Sequence, residues 1–204
     1  MTDETIPQLI LASASPRRRA LLDQIGVRYQ AVAANISEIP GSNETPEGYV
    51  LRIAEEKSLC VLKQPIPPLP VLAADTEVVV DGEIFGKPED PDAAYAMLKR
   101  LSGRTHEVLT AISIRNALHH ESRLIRSLVT FRPLEDCEIK AYIRSGEPFG
   151  KAGGYAIQGL GALFVSRLEG SFSGVMGLPL EETGRLLNAF GIHPLRIDLE
   201  RPAP

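Results

Sequence analysis

Apolar positions fall along the chain in short blocks whose spacing alternates between strand-like and helix-like. Gln8-Leu9-Ile10-Leu11-Ala12 is a continuous apolar run that suits a buried strand. It leads into Ser13-Ala14-Ser15-Pro16-Arg17-Arg18-Arg19, where Ser15 can cap a helix, Pro16 fits its first position and Gly26 closes it. Arg28–Ala33 predicts a second strand, Asn35–Glu44 a polar loop, and Thr45-Pro46 the start of a helix reaching Leu62. Pro65–Pro70 cannot be helical. Val71–Ala74 and Val78–Val80 are strand-like, and Asp81-Gly82 is a hairpin turn into Glu83-Ile84-Phe85. Helices are expected over Asp90–Leu101 and Glu135–Ser145, with two long paired strands, His106–Arg115 and Ser122–Arg132, around the turn at Asn116–Glu121. Glycines crowd Gly146–Gly161, Leu163-Phe164-Val165 predicts a further strand, and a last helix runs from Leu178-Pro179 to near Gly191. The alternation with one long hairpin indicates an α/β (α+β) fold with a mixed sheet and flanking helices.

At 204 residues, 44% hydrophobic and 24% charged, the chain has the balance of a folded domain, which excludes disorder and coiled coil as global descriptions. The net charge of −4 argues against a protein that coats nucleic acid. An acidic chain can still concentrate cations in one pocket. Cys60 and Cys137 can build neither a disulfide framework nor a metal site. Met1–Thr5 shows no secretory signal, and no apolar run approaches the ~18 residues of a membrane span, so the expected setting is the cytoplasm, away from membranes.

Four segments carry candidate chemistry. A helix N-terminus binds anions, yet Arg17, Arg18 and Arg19 there oppose the helix dipole; Asp23 can pair with Arg19, leaving Arg17 and Arg18 for a basic surface turn or a phosphate site. Lys57 falls on the apolar stripe of its helix, four residues after Ile53, as a snorkelling stem or as an inward phosphate ligand. Asp75-Thr76 stands where the run Val71–Ala74 ends, as a turn residue or as a carboxylate for a metal or a proton. Lys87, before Pro88, is a further cation. In Lys151–Gly159, small residues around Gln158 would let its amide, which both donates and accepts, read a base edge. His106, His119, His120 and His193 lack zinc spacing and read as structural or solvated. No Gly-x-Ser-x-Gly elbow exists, which disfavours a serine hydrolase.

Ala12-Ser13-Ala14-Ser15-Pro16-Arg17-Arg18, Ala74-Asp75-Thr76, Gly86-Lys87-Pro88 and Ala156-Ile157-Gln158-Gly159 together resemble the Maf family of nucleotide pyrophosphatases, from Leu9 to Ile192. Arg17, Thr76 and Ile157-Gln158-Gly159 resemble the branch acting on dTTP and UTP rather than the sister branch acting on 7-methyl-GTP. The resemblance implies a two-lobed Maf/inosine-triphosphate-pyrophosphatase-like domain over 1–192, followed by a Pro-containing tail, 193–204. It implies Asp75 as proton acceptor, with Arg17, Thr76 and Gln158 governing base choice and Ser13, Arg18, Glu38, Lys57 and Lys87 in the pocket. A divalent metal, Mg²⁺ or Mn²⁺, and a homodimer are implied as well; on the residues themselves, Asp75 with Glu38 either holds that metal or activates the attacking water. The expected reaction cleaves nucleoside triphosphate to monophosphate and pyrophosphate, clearing the nucleotide pool, with a link to septum inhibition. The rivals are a nucleotide-binding regulator of cell division that needs no turnover, and the same reaction on 7-methyl-GTP or deaminated purine nucleotides.

Overall fold

A computed structural model describes the chain from Ile6 to Pro194. The element order is β1 (Leu9–Leu11), α1 (Pro16–Gln24), β2 (Tyr29–Ala31), α2 (Pro46–Leu62), β3 (Val71–Val80), β4 (Glu83–Phe85), α3 (Pro91–Leu101), β5 (Thr105–Arg115), β6 (His120–Phe131), α4 (Asp136–Arg144), β7 (Val165–Glu169), α5 (Phe172–Met176) and α6 (Leu180–Ala189). Two 3-10 turns, Ala152–Gly154 and Leu160–Phe164, lie between α4 and β7. Residues 195–204 of the expected tail, and Met1–Thr5, lie outside the described residues.

Seven strands form one mixed sheet in the order β2-β1-β3-β5-β6-β7, with β4 also pairing β3. β1 is parallel to β2 and β3, and the other pairs are antiparallel. The β5–β6 ladder runs from Thr105↔Thr130 to Arg115↔His120, and Asn116 Oδ1 closes the turn by accepting the N–H groups of Leu118 and His119. Side chains alternate across a strand, so Val71, Ala73 and Val79 pack beneath α2, while Leu72 and Ala74 face α1 and α6. Val78 and Val80 turn to α3 and α4.

Three local expectations need correction. β3 is unbroken from Val71 to Val80, so Asp75 and Thr76 sit in the middle of a strand rather than at its end. The cross-strand pairs Asp75↔Ala111 and Thr76↔Thr110 keep the ladder to β5 intact, and this tertiary pairing overrides the polar interruption. Leu163-Phe164 closes a 3-10 turn and only Val165 begins a strand. Arg19 is exposed and forms no ion pair with Asp23 among the described residues.

Gly153 ties the glycine-rich segment to β3. Its φ is +67°, and a Cβ there would lie 2.8 Å from Val78 Cγ2. Gly153→Ala should therefore cost about 1–3 kcal/mol, read as a lower midpoint in urea unfolding. An unchanged midpoint would refute the close packing. His106 is buried beside Phe131, and burial pushes its imidazole down to about 4. Between that value and the unfolded pKa of about 6.5, the unfolded chain binds a proton that the folded chain excludes. Stability should therefore fall as pH drops through this window, by about 1.4 kcal/mol per unit. Urea midpoints at pH 7 and pH 5 should differ more for the wild type than for His106→Asn.

Candidate active site

β1 pairs with β3 only as far as Leu11↔Leu72, and β4 only from Phe85↔Val78 onward. Between them, one edge of β3 has no strand neighbour. Ala12 N–H donates to Leu72 O at 2.7 Å, so the even-numbered residues turn their peptide groups to this edge and those of Ala74 and Thr76 face the gap. The gap opens into a cleft of about 360 Å³. Alternation sends Asp75 and Glu77 to the α2 face and Thr76 to the α1 face, so both sides of the sheet contribute to the cleft.

Lys57 interrupts the buried stripe Tyr49, Val50, Ile53, Ala54, Val61 of α2. It is only 8% exposed, and its Nζ donates to Asp75 Oδ1 at 2.8 Å while lying 2.9 Å from Glu38 Oε1. The inward orientation is thus observed, with the ammonium held between two carboxylates. Burial pushes the Glu38 carboxyl up, but the hydrogen bond and charge of Lys57, with Lys87 and Arg18 beyond, hold it below the usual range. For Glu77, burial and the neighbouring Asp75 charge prevail over Lys87 and Lys57, pushing it up to about 8.

On the other face, Ser15 caps α1, accepting the Arg18 N–H at 3.5 Å. Ser13 Oγ accepts from Ser15 N–H and from Arg18 Nη1. The Arg18 guanidinium also donates to Gly177 O at 2.8 Å and to Thr76 Oγ1 at 3.3 Å, joining α1, β3 and the loop after α5. Thr110 on β5 supports the same hydroxyl at 3.1 Å. Arg17 donates through Nε to Met176 O, and burial lowers its guanidinium from the ordinary value. These contacts place the two arginines inward despite the unfavourable dipole end. Lys87, after β4, and Gln158, between the two 3-10 turns, are exposed on the rim. All nine singled-out residues, Ser13, Arg17, Arg18, Glu38, Lys57, Asp75, Thr76, Lys87 and Gln158, line this one cleft.

Three polar side chains of the lining, Glu77, Lys151 and Tyr155, were given no role from the sequence. Glu77 was readable in principle, because an Asp-x-Glu spacing within a strand puts both carboxylates on one face; breaking the strand at Ala74 hid it. Lys151 and Tyr155 line the far wall, and Tyr155 OH bonds the buried His106 Nε2 at 2.9 Å. His119 meets Glu121 and Phe190, His120 meets Ser113 and Arg115, and His193 meets Asn188.

Among the described residues, no group of three or more His, Cys, Asp or Glu is arranged to hold a metal unaided. The facing oxygens of Glu38 and Asp75 are already bridged by Lys57. Asp75 Oδ2 and Glu77 Oε2, however, are buried without a hydrogen-bond partner. Unpartnered carboxylate oxygens of residues that line a cleft suit Mg²⁺ or Mn²⁺, provided that further oxygens come from a phosphate ligand and water. No helix of the described chain is long and apolar enough to cross a membrane.

The family described as Maf-like protein matches residues 8–190. The chain is 53% identical over 190 residues to the dTTP/UTP pyrophosphatase of Methylococcus capsulatus, covering 93% of this chain and 94% of that protein. It is 48% identical over 200 residues to the dTTP/UTP pyrophosphatase of Dechloromonas aromatica, covering 92% and 100%. A solved structure of a nucleoside-triphosphatase (dITP/XTP pyrophosphatase) from Mycobacterium abscessus aligns with a TM-score of 0.42 at 19% identity, covering 89% and 92%. With the match spanning nearly every described element, the chain belongs to the Maf family.

Proposed function

We propose that the cleft hydrolyses the α–β phosphoanhydride of dTTP and UTP, releasing the nucleoside monophosphate and pyrophosphate. The observation that carries this reading is the convergence of Arg17, Arg18, Lys57 and Lys87, from four separate segments, around a buried aspartate with a free oxygen. Cations gathered in this way suit a polyanion, and a carboxylate among them suits proton transfer rather than phosphate binding. The names borne by relatives at about half identity support the same reaction and the same nucleotides.

In this reading a water oxygen bonds to the α-phosphorus, its proton passes to Asp75 Oδ2, and the bond from that phosphorus to the bridging oxygen breaks. Pyrophosphate leaves towards the lysine and arginine side. Lys57 orients the Asp75 carboxylate through Oδ1 and leaves Oδ2 without a hydrogen-bond partner. Arg18, held at three points, presents its charge without reorganisation. With Glu77 beside them, Glu38 and Asp75 would hold a divalent cation through the oxygens that Lys57 does not bond, together with phosphate oxygens and water. When bound, it would supply positive charge against the phosphates. A carboxylate has about four lone-pair sites, so Asp75 can meet both a cation and a proton. Thr76 and Arg17 approach the nucleoside from the α1 face, and the Gln158 amide meets the base from the rim. A homodimer and a cytoplasmic setting belong to the same proposal on family membership alone.

Product analysis on a panel of nucleoside triphosphates should yield monophosphate and pyrophosphate from dTTP and UTP, with Mg²⁺ or Mn²⁺ present. A chelator should abolish turnover, and turnover that survives chelation would remove the cation from the scheme. Asp75→Asn should lower kcat for dTTP by about 10²-fold or more, because the amide is neither a base nor a strong ligand. Near-normal turnover in that variant would sink the assignment of Asp75.

A further inference from the structure

The turn that carries Gln158 is gripped from beneath by a phenol–carboxylate pair. Tyr142 OH donates to Glu147 Oε1 at 2.8 Å and accepts the Ala156 N–H at 3.1 Å. Glu147 then accepts the Leu160 N–H through Oε2 and the Gly161 N–H through Oε1, both at 2.9 Å. Main-chain donors on both sides of Gln158 therefore end on one pair of side chains, and Gly159 N–H to Ala156 O closes the turn between them at 3.1 Å. The fit is close. A Cβ on Gly161 would lie 2.8 Å from Ala156 O and 3.0 Å from Tyr142 OH, and one on Gly159 would fall on the Glu147 carboxylate itself.

The electrostatics suit a fixed clamp. Burial pushes Glu147 up, but the N–H groups of Gly161 and Leu160 and the Tyr142 hydroxyl hold it below the usual carboxylate range. Burial and the neighbouring Glu147 push the Tyr142 phenol up, so it stays a donor. An ionised carboxylate taking two backbone N–H groups makes stronger bonds than neutral partners do. Gln158, by contrast, is exposed, and no hydrogen bond engages its amide among the described residues. A hydrogen bond to a flat base edge tolerates only a few tenths of an ångström, so the reach of this amide depends on where the turn is held.

On the reading of the cleft as a nucleotide site, we propose that Tyr142 and Glu147 are positioning residues that fix the Gln158 turn against the nucleobase and so set which base the cleft prefers. Neither side chain lines the cleft, so both act through Gln158 and not on the substrate. Glu147→Gln keeps the shape but sets an amide N–H₂ against a main-chain N–H. It also removes the charge that strengthens the other bonds.

The test is a double-variant cycle. KM and kcat for dTTP and for dGTP are measured in the wild type, Q158A, E147Q and E147Q/Q158A, with thermal midpoints alongside. E147Q should raise KM for dTTP about tenfold, leave kcat within about threefold, and lower the preference for dTTP over dGTP. Adding E147Q to Q158A should change none of these further, because the residue it positions is already gone. Tyr142→Phe keeps the ring against Phe164 and should reproduce the effect in weaker form, which carries the cycle if E147Q fails to fold. Factors that multiply in the double variant, or a dTTP-to-dGTP ratio unmoved by E147Q, would overturn the clamp while leaving the nucleotide reading intact. A wild type without dTTP turnover would overturn that reading and this inference together.

Discussion

A lysine ammonium held between two carboxylates organises the centre of this molecule. Lys57 and Asp75 are both buried, and a buried charge is tolerable only when it is paired and hydrogen-bonded. Removing either partner would strand the other, so α2 and β3 are locked in one register by an interaction whose loss costs more than its presence stabilises. Glu38 extends the pairing to the loop after β2, which carries no regular structure of its own and is fastened at Lys57 and at Tyr49 OH. The pair also leaves one oxygen of Asp75 without a hydrogen-bond partner, in a residue that lines the cleft.

The topology explains why such a charge can sit mid-strand. β1 and β4 share one edge of β3 without meeting, so a segment of the central strand is rigid through β5 yet open on its other side. A loop could offer Asp75 and Thr76 to a ligand, but it would not hold them as firmly. An ordinary sheet interior would hold them without access. The gap supplies both, and alternation distributes acid and hydroxyl to opposite faces, where α2 and α1 reach them with Lys57 and Arg18.

Much of this was legible in the chain. The strand–turn–helix at Ser13–Arg18, the lysine on an apolar stripe and the Gly86-Lys87-Pro88 segment are local patterns, and local patterns survive folding. The continuity of β3 was not legible, because Asp75-Thr76-Glu77 reads as a break until nine pairs with β5 are counted against it. Glu77 was lost with that misjudged break. α5 is five residues long, too short for any periodicity to declare it. The Tyr142–Glu147 pair was invisible for another reason. Tyr142 reads as one more apolar position of α4 and Glu147 as a loop charge, and only tertiary structure brings their shared function to the Gln158 turn.

The charge of the cleft bears on what it can hold. Arg17, Arg18, Lys57, Lys87 and Lys151 line the cleft with Glu38 and Asp75, while Glu77, pushed up to about 8, is mostly neutral near pH 7, so three positive charges remain unmatched on an acidic protein. A nucleoside triphosphate brings about four negative charges, and its transition state spreads them over the phosphate oxygens. The protein alone therefore offsets most, but not all, of what the ligand carries. One divalent cation beside the unpartnered oxygens of Asp75 and Glu77 would close the balance. Without a cation nearby, Glu77 stays mostly protonated and adds little charge to the cleft. Its place beside Asp75 would suit a ligand that brings a cation with it, whose charge would draw the proton from Glu77.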